Sequence, residues 1–244
     1  METAGIDWIE INNLRVCYNA QRPALSVPHL RMESGRLYMI VGHMGSGKST
    51  LLSAIAGLRK YQGEIRFDRP PMSVDIGLSF QHPSRMFFMP TVWDEVCVAV
   101  RRYGLSEQLC QRSLERFDVP RALWYADTFA LSGSEARRVA LAAAFVHNPS
   151  IILMDEPTAG MDAGVVATVM KFARKMVNEG KLVVMVTHSP EESLMADWII
   201  VIARGTVVYS GNPLAFWNDT VAVVGSGLLP PEEFLWRRFV DARR

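Results

Sequence analysis

The chain has 244 residues, 49% of them hydrophobic, with 26 Lys and Arg against 25 Asp and Glu. That length and apolar content support one large domain with room for a subdomain. The near-zero charge balance excludes a global pull toward nucleic acid or an anionic membrane, so no nucleic-acid partner is expected.

The opening METAGIDWIE carries acids early and lacks the charged-then-apolar pattern of a secretory leader. Ile9 to Val16 nearly alternates apolar and polar residues, which predicts an edge or half-buried strand. Leu37 to Val41 is a short apolar run followed at once by glycines. Apolar residues recur at helical spacing from Lys48 to Leu58, and Gly57 lies near the end. Gly63 to Phe67 and Ile76 to Phe80 read as strands. Thr91 to about Ala130 is helical in pattern, broken near Gly104 and Pro120, and Ser134 to Val146 is a helix stopped by Asn148-Pro149. Ile151 to Met154 and Leu182 to Val186 are continuous apolar runs, as expected of central parallel strands buried on both faces, with a helix from Asp162 to Asn178 between them. Trp198 to Ile202 and Val207 to Tyr209 are strands around an Arg204-Gly205 turn. The runs LVVMV and WIIVIA fall far short of the ~20 residues that span a bilayer, so work at a membrane would need a partner there. Cys17, Cys97 and Cys110 are odd in number and fit no metal or disulfide framework, so all three are expected as reduced apolar residues of a cytosolic protein.

Strands alternating with helices predict an α/β fold with a mainly parallel sheet and an antiparallel β subdomain near the N-terminus. Residues 1–80 and 150–215 are expected to form the core, 81–149 an inserted α-helical subdomain and 216–244 a helical extension. The basic C-terminal residues Arg237, Arg238, Arg243 and Arg244 read as a solvated helix.

Residues 42 to 49 spell GHMGSGKS, which is G-x-x-x-x-G-K-[ST] between an expected strand and an expected helix. This makes the core a P-loop NTPase. Gly42, Gly45 and Gly47 allow backbone angles at which successive N–H groups converge on phosphate oxygens, with His43, Met44 and Ser46 completing the loop. The helix beginning near Lys48, with Ser49 and Thr50 in its first turn, points its positive end at the same anion. Lys48 supplies charge for the β- and γ-phosphates of ATP, and the Ser49 hydroxyl can ligate Mg²⁺. A carboxylate is then required at the end of a neighbouring strand, and Asp155 supplies it. Glu156 follows directly. Two adjacent carboxylates need a cation or separate roles, so Asp155 is assigned to the metal and Glu156 to the attacking water as general base.

Leu131 to Glu135 read LSGSE. Ser132-Gly133-Ser134-Glu135 is by itself a helix capping box. The segment also resembles the LSGGQ signature of ABC-type ATPases, with Ser134 in place of the second glycine and Glu135 in place of the glutamine. The resemblance extends over nearly the whole chain. It implies that Tyr18 stacks on adenine, that Gln81 is the Q-loop glutamine linked to the metal, that 159–162 (AGMD) is the D-loop and that His188 is the switch histidine. It also implies that the Ser132 end of the helix faces the γ-phosphate held by a second ATPase subunit, as a homo- or heterodimer. The alternative for Tyr18 is an ordinary half-buried strand aromatic, and for Ser132 to Glu135, taken without the family, a plain helix cap. Serine at 134 crowds a close backbone approach, so slower turnover is expected.

The segment QHPSRMFFMPTVWDEV at 81–96 is similar to one branch of the family, the energy-coupling-factor importers that include the cobalt and nickel type. Ala136-Arg137-Arg138-Val139-Ala140 fits that branch, as does Gly227-Leu228-Leu229-Pro230-Pro231 before an expected helix with Phe234, Leu235 and Phe239. The branch implies a transmembrane coupling protein, a substrate-capture membrane protein, a vitamin or metal ion as cargo, and a peripheral place on the cytoplasmic face of the membrane. Met86, Phe87, Phe88 and Met89 are either a partner surface or packing within the helical subdomain. Other importers or exporters, a soluble ABC regulator and a binding-only module remain competing readings.

Overall fold

Nine strands form one mixed sheet in the computed structural model, which describes residues 5–19, 22–82 and 87–235. In chain order the strands are β1 (Trp8–Asn19), β2 (Arg22–Glu33), β3 (Arg36–Val41), β4 (Gln62–Phe67), β5 (Ile76–Ser79), β6 (Ile151–Asp155), β7 (Leu182–Thr187), β8 (Trp198–Ala203) and β9 (Thr206–Gly211). The helices are α1 (Lys48–Ile55), α2 (Val92–Arg102), α3 (Gln108–Arg116), α4 (Gly133–Phe145), α5 (Ala163–Asn178), α6 (Pro190–Ser193), α7 (Pro213–Asn218) and α8 (Thr220–Ser226).

The sheet order is β4-β1-β2-β9-β8-β3-β7-β6-β5. The five strands from β8 to β5 run parallel, and β1 pairs antiparallel with both β2 and β4. The antiparallel part is therefore continuous with the parallel part, joined through β9, which pairs parallel with β2 and antiparallel with β8. The β8–β9 turn lies at Arg204 and Gly205, both with positive φ, 50° and 78°. That pair of angles suits the strand twist of a tight hairpin.

The apolar runs are buried on both faces because each serves two cores. Leu37, Met39, Val41, Ile152, Met154, Val183 and Met185 pack toward the helices α2 to α5. Their neighbours Tyr38, Ile40, Ile151, Leu153, Val184 and Val186 pack toward α1 and the β1–β2 pair. Period-two side-chain geometry sends alternate residues of one strand to opposite faces. A slip of one register would exchange the two cores, so the pairing is strongly specified.

The helical segment breaks where expected. Gly104, at φ 65°, separates α2 from α3, and Pro120 opens a short 3₁₀ turn at Arg121–Leu123. Thr91 caps α2 by accepting the Asp94 N–H. The expectation of three reduced cysteines is corrected. Cys97 of α2 and Cys110 of α3 pair as a disulfide, their Cα atoms 5.6 Å apart, while Cys17 is free and exposed. Both partners lie on the fully buried seam where α2 packs on α3, an adjacency that sequence spacing does not carry. Strand β2 and the short helix α6 were not expected from the sequence, whereas α7 runs into, and α8 lies within, the helical extension expected over 216–244. The expected C-terminal helix lies partly outside the described residues: Phe234 is buried and Leu235 exposed, while Phe239 and the four terminal arginines fall beyond. Pro83 and Met86 are likewise outside. No helix among the described residues is long and apolar enough to cross a membrane.

Candidate functional site

The loop from Gly42 to Ser49 links β3 to α1, where the carboxyl end of a central strand meets a helix N-terminus. Gly45 (φ 75°) and Gly47 (φ 108°) occupy the left-handed region. A Cβ on Gly42 would lie 2.3 Å from the Ile202 carbonyl oxygen and 2.6 Å from Ser46 Oγ, so only glycine fits there. Lys48 is buried, and its Nζ donates to the carbonyls of Gly42 (2.8 Å) and His43 (2.9 Å), curling back over the loop. Burial lowers the Lys48 pKa, while Glu156 and Asp155 oppose that shift. The buried Ser46 hydroxyl has no hydrogen-bond partner. Such a group is costly unless something meets it. Glycines that admit close approach, a buried ammonium and an unpartnered hydroxyl together fit a phosphate chain.

Ser49 Oγ donates to Asp155 Oδ1 at 3.0 Å, bringing the helix start and the β6 terminus together. Burial pushes the Asp155 carboxyl above its usual range; the Ser49 bond opposes this and the neighbouring Glu156 adds to it. A buried carboxylate with a raised pKa is a group that a cation would stabilise. Among the described residues no cluster of three or more His, Cys, Asp or Glu is arranged to hold a metal, so a cation here would lean on phosphate oxygens as well.

Glu156 is the convergence point. Its Oε2 accepts Gln81 Nε2 at 2.8 Å and lies 3.5 Å from His188 Nδ1. The structure thus brings Lys48, Ser49, Gln81, Asp155, Glu156 and His188 to one end of the parallel strands. Gln81 directs its amide nitrogen at Glu156, leaving its oxygen as the atom able to face a metal. His188 is largely exposed. Tyr18 is 55% exposed, with its hydroxyl 2.9 Å from Thr50 Oγ1 and the Arg59 guanidinium 5.1 Å from its ring centroid. One ring face is therefore engaged by a cation. His43 reaches away from the phosphate position and donates through Nε2 to the Gly227 carbonyl at 2.6 Å. Met44 is almost fully exposed. His43 to Ser46 line a cavity of about 360 Å³ with Val224 to Gly227, so the C-terminal segment packs on the loop.

Ser132, Gly133, Ser134 and Glu135 form a complete capping box at the start of α4. Ser132 N–H donates to Glu135 Oε2 at 2.8 Å, Ser132 Oγ donates to the same oxygen at 2.7 Å, and Glu135 N–H returns to Ser132 Oγ at 3.4 Å. These bonds hold the Glu135 carboxyl below its usual range. They close on themselves and reach none of the loop residues. The box faces open space: a Cβ added to Gly133 would meet nothing within 4 Å.

A family model described as ABC transporter matches residues 25–159, more than half the chain. The chain belongs to the ABC transporter family. The energy-coupling factor transporter ATP-binding protein EcfA2 of Halalkalibacterium halodurans is 33% identical over 231 residues, covering 87% of this chain and 82% of that one. The protein of the same name from Bacillus subtilis is 30% identical over 241 residues, covering 91% and 87%. Among solved structures, cbiO1 of Clostridium perfringens, described as part of the ABC transporter complex cbiONQ, has a TM-score of 0.76 at 27% identity, covering 95% and 99%. The ATP-binding cassette MJ0796, solved as a dimer in a post-hydrolysis state with ADP and Pi, has a TM-score of 0.77 at 26% identity, covering 84% and 98%.

For an ABC ATPase the site also contains residues to which the sequence had assigned no place in it. Glu192 Oε2 accepts both Thr158 Oγ1 (2.9 Å) and Thr187 Oγ1 (2.7 Å), bridging the segments that carry Glu156 and His188. Ser189-Pro190-Glu191-Glu192 is itself an S-x-x-E helix start, the signal that would have found it. Arg137 donates to the Glu156 carbonyl at 2.9 Å. Its helical alignment with the buried Leu141 and Phe145, at steps of four, marks it as inward-facing.

The cluster left open by sequence divides. Phe87 is buried, while Phe88 is 81% exposed. Thr128 ties its segment to the carbonyls of Met89 and Pro90, and the residue after it, Phe129, is exposed as well.

Proposed function

We propose that this ATPase powers an importer of the energy-coupling-factor type from the cytoplasmic face of the membrane. The observation that carries the branch is the set of relatives bearing that name, aligned along 87% and 91% of the chain. The partners are a second ATPase subunit, identical or related, a transmembrane coupling protein and a substrate-capture membrane protein, with a vitamin or metal ion as cargo. Phe88 and Phe129 offer the coupling protein exposed aromatic side chains.

In this reading the loop N–H groups and Lys48 hold the β- and γ-phosphates of ATP, and Tyr18 stacks on the adenine. Ser49, Asp155 and the Gln81 oxygen would hold Mg²⁺, for which a set of hard oxygen donors is suited. When bound, Mg²⁺ neutralises charge on the phosphate oxygens. Glu156 accepts a proton from the attacking water, and His188 moves from Glu156 to the γ-phosphate. The Ser132 to Glu135 end of the second subunit closes the site, with its helix N-terminus toward the γ-phosphate. The distance of 3.5 Å between His188 and Glu156 supports placing both at one reacting centre.

Purification of the full chain from membranes, followed by identification of its companions, tests the branch. A transmembrane coupling subunit together with a small capture protein is the expected result. An assembly with no capture subunit, or a chain found only in the soluble fraction, would reject it. Ser134→Gly restores the open backbone at the signature and should raise turnover about two- to tenfold, the size of a few tenths to 1.4 kcal/mol in the barrier. Unchanged turnover in steady-state assays would mean that Ser134 does not obstruct the phosphate.

A further inference from the structure

Glu156 has an uncommon backbone. Its φ is +47°, and Pro157 follows it, which restricts the preceding residue toward extended conformations. Such a conformation persists only where the surroundings hold it. The Glu156 N–H donates to Val186 O at 3.1 Å, and its carbonyl accepts Ala159 N–H at 3.3 Å and Arg137 Nη1 at 2.9 Å. Arg137 is 8% exposed, and its Nε–H has no acceptor. A buried guanidinium with an unused donor is unfavourable by itself. Arg137 also stands in the first turns of α4, two residues beyond Glu135 of the capping box.

We propose that Arg137 is a positioning residue that holds Glu156 in its left-handed backbone conformation and, through the Glu156 carbonyl, ties the backbone carrying that carboxylate to the helix opened by Ser132. The inference rests on the reading of Glu156 as general base and of the Ser132 end as nucleotide-facing. It gives the two sites of a dimer a short physical connection. A displacement of α4 on meeting the other subunit's nucleotide reaches the same subunit's Glu156 through one side chain.

The test compares Arg137→Met, Arg137→Lys and Glu156→Gln in the full chain, purified with its membrane partners, by steady-state ATP hydrolysis, equilibrium ATP binding and thermal unfolding. Arg137→Met removes the donor and should lower kcat about tenfold or more while KM and ATP affinity stay within about twofold. Arg137→Lys keeps a cationic donor and should recover most of the loss. Should the methionine variant fail to fold, Arg137→Gln, whose amide is too short to reach the carbonyl, is read in the same way. Wild-type kcat in a folded Met or Gln variant would overturn the proposal. So would a loss of kcat matched by an equal loss of ATP affinity. Normal hydrolysis by Glu156→Gln would remove the general-base reading itself, whereas an inactive Glu156→Gln beside a normal Arg137→Met would remove only the role of Arg137.

Discussion

Glu156→Gln should stop ATP hydrolysis and leave ATP binding intact. The amide is nearly the same size as the carboxylate and still offers an oxygen to Gln81 Nε2, so the hydrogen bond at 2.8 Å survives. What disappears is the ability to take a proton from water. Loss of a positioned general base lowers turnover by about 10²–10⁴-fold. The substitution also removes a negative charge close to Asp155, which relieves a repulsion that now raises the Asp155 pKa. ATP affinity should therefore hold or improve, and a dimer closed on unhydrolysed ATP should accumulate. Single-turnover hydrolysis, equilibrium nucleotide binding and size-exclusion chromatography with ATP check the three parts. Hydrolysis near the wild-type rate would remove Glu156 from the proton-transfer step.

Lys48→Ala should have its main effect on affinity instead. Lys48 is only 5% exposed and is held by two carbonyls of its own loop. Turning from these to phosphate oxygens exchanges neutral acceptors for charged ones. Hydrogen bonds to charged groups contribute about 1.5–3 kcal/mol each, so one lost contact weakens ATP binding by roughly ten- to a hundredfold. A second consequence concerns Asp155. Lys48 is a cation that lowers the Asp155 pKa against the effect of burial. Without it that carboxyl rises further above its unfolded value, so the cost of ionising Asp155 in the folded state grows: the variant's stability deficit should widen as pH rises through the mildly acidic range and shrink as the carboxyl is protonated. Titration calorimetry with ATP measures the first effect, and thermal unfolding across mildly acidic pH measures the second. An alanine variant that binds ATP like the wild type would show that backbone N–H groups alone carry the phosphates.

GHMGSGKS was legible because the constraint is local: three glycines and a lysine at fixed spacing suffice to specify a turn that admits phosphate. The central strands were legible for a related reason, since burial on both faces leaves an unbroken apolar run. Strand β2 was not. Its sequence RPALSVPHLRME holds two prolines and no long apolar run, and its place comes from antiparallel pairing with β1. The disulfide between Cys97 and Cys110 was equally hidden, because helix packing sets which cysteines meet. Sequence order also could not say that His43, in a variable position of the loop, would point away to the Gly227 carbonyl, 184 residues on.

The sequence by itself determined the chemistry on offer: a phosphate loop, two successive carboxylates at a strand end, and a helix start able to face an anion. Each depends on residues close in the chain, whose backbone geometry follows from local sterics and hydrogen bonding. Only the tertiary structure decided how those parts are held. It placed Gln81 and His188 on one oxygen of Glu156, set Glu192 across the segments beneath them and ran Arg137 from α4 to the Glu156 carbonyl. Those partners are distant in sequence, and they meet because parallel strands bring their carboxyl ends, with the loops that follow them, to one edge of the sheet.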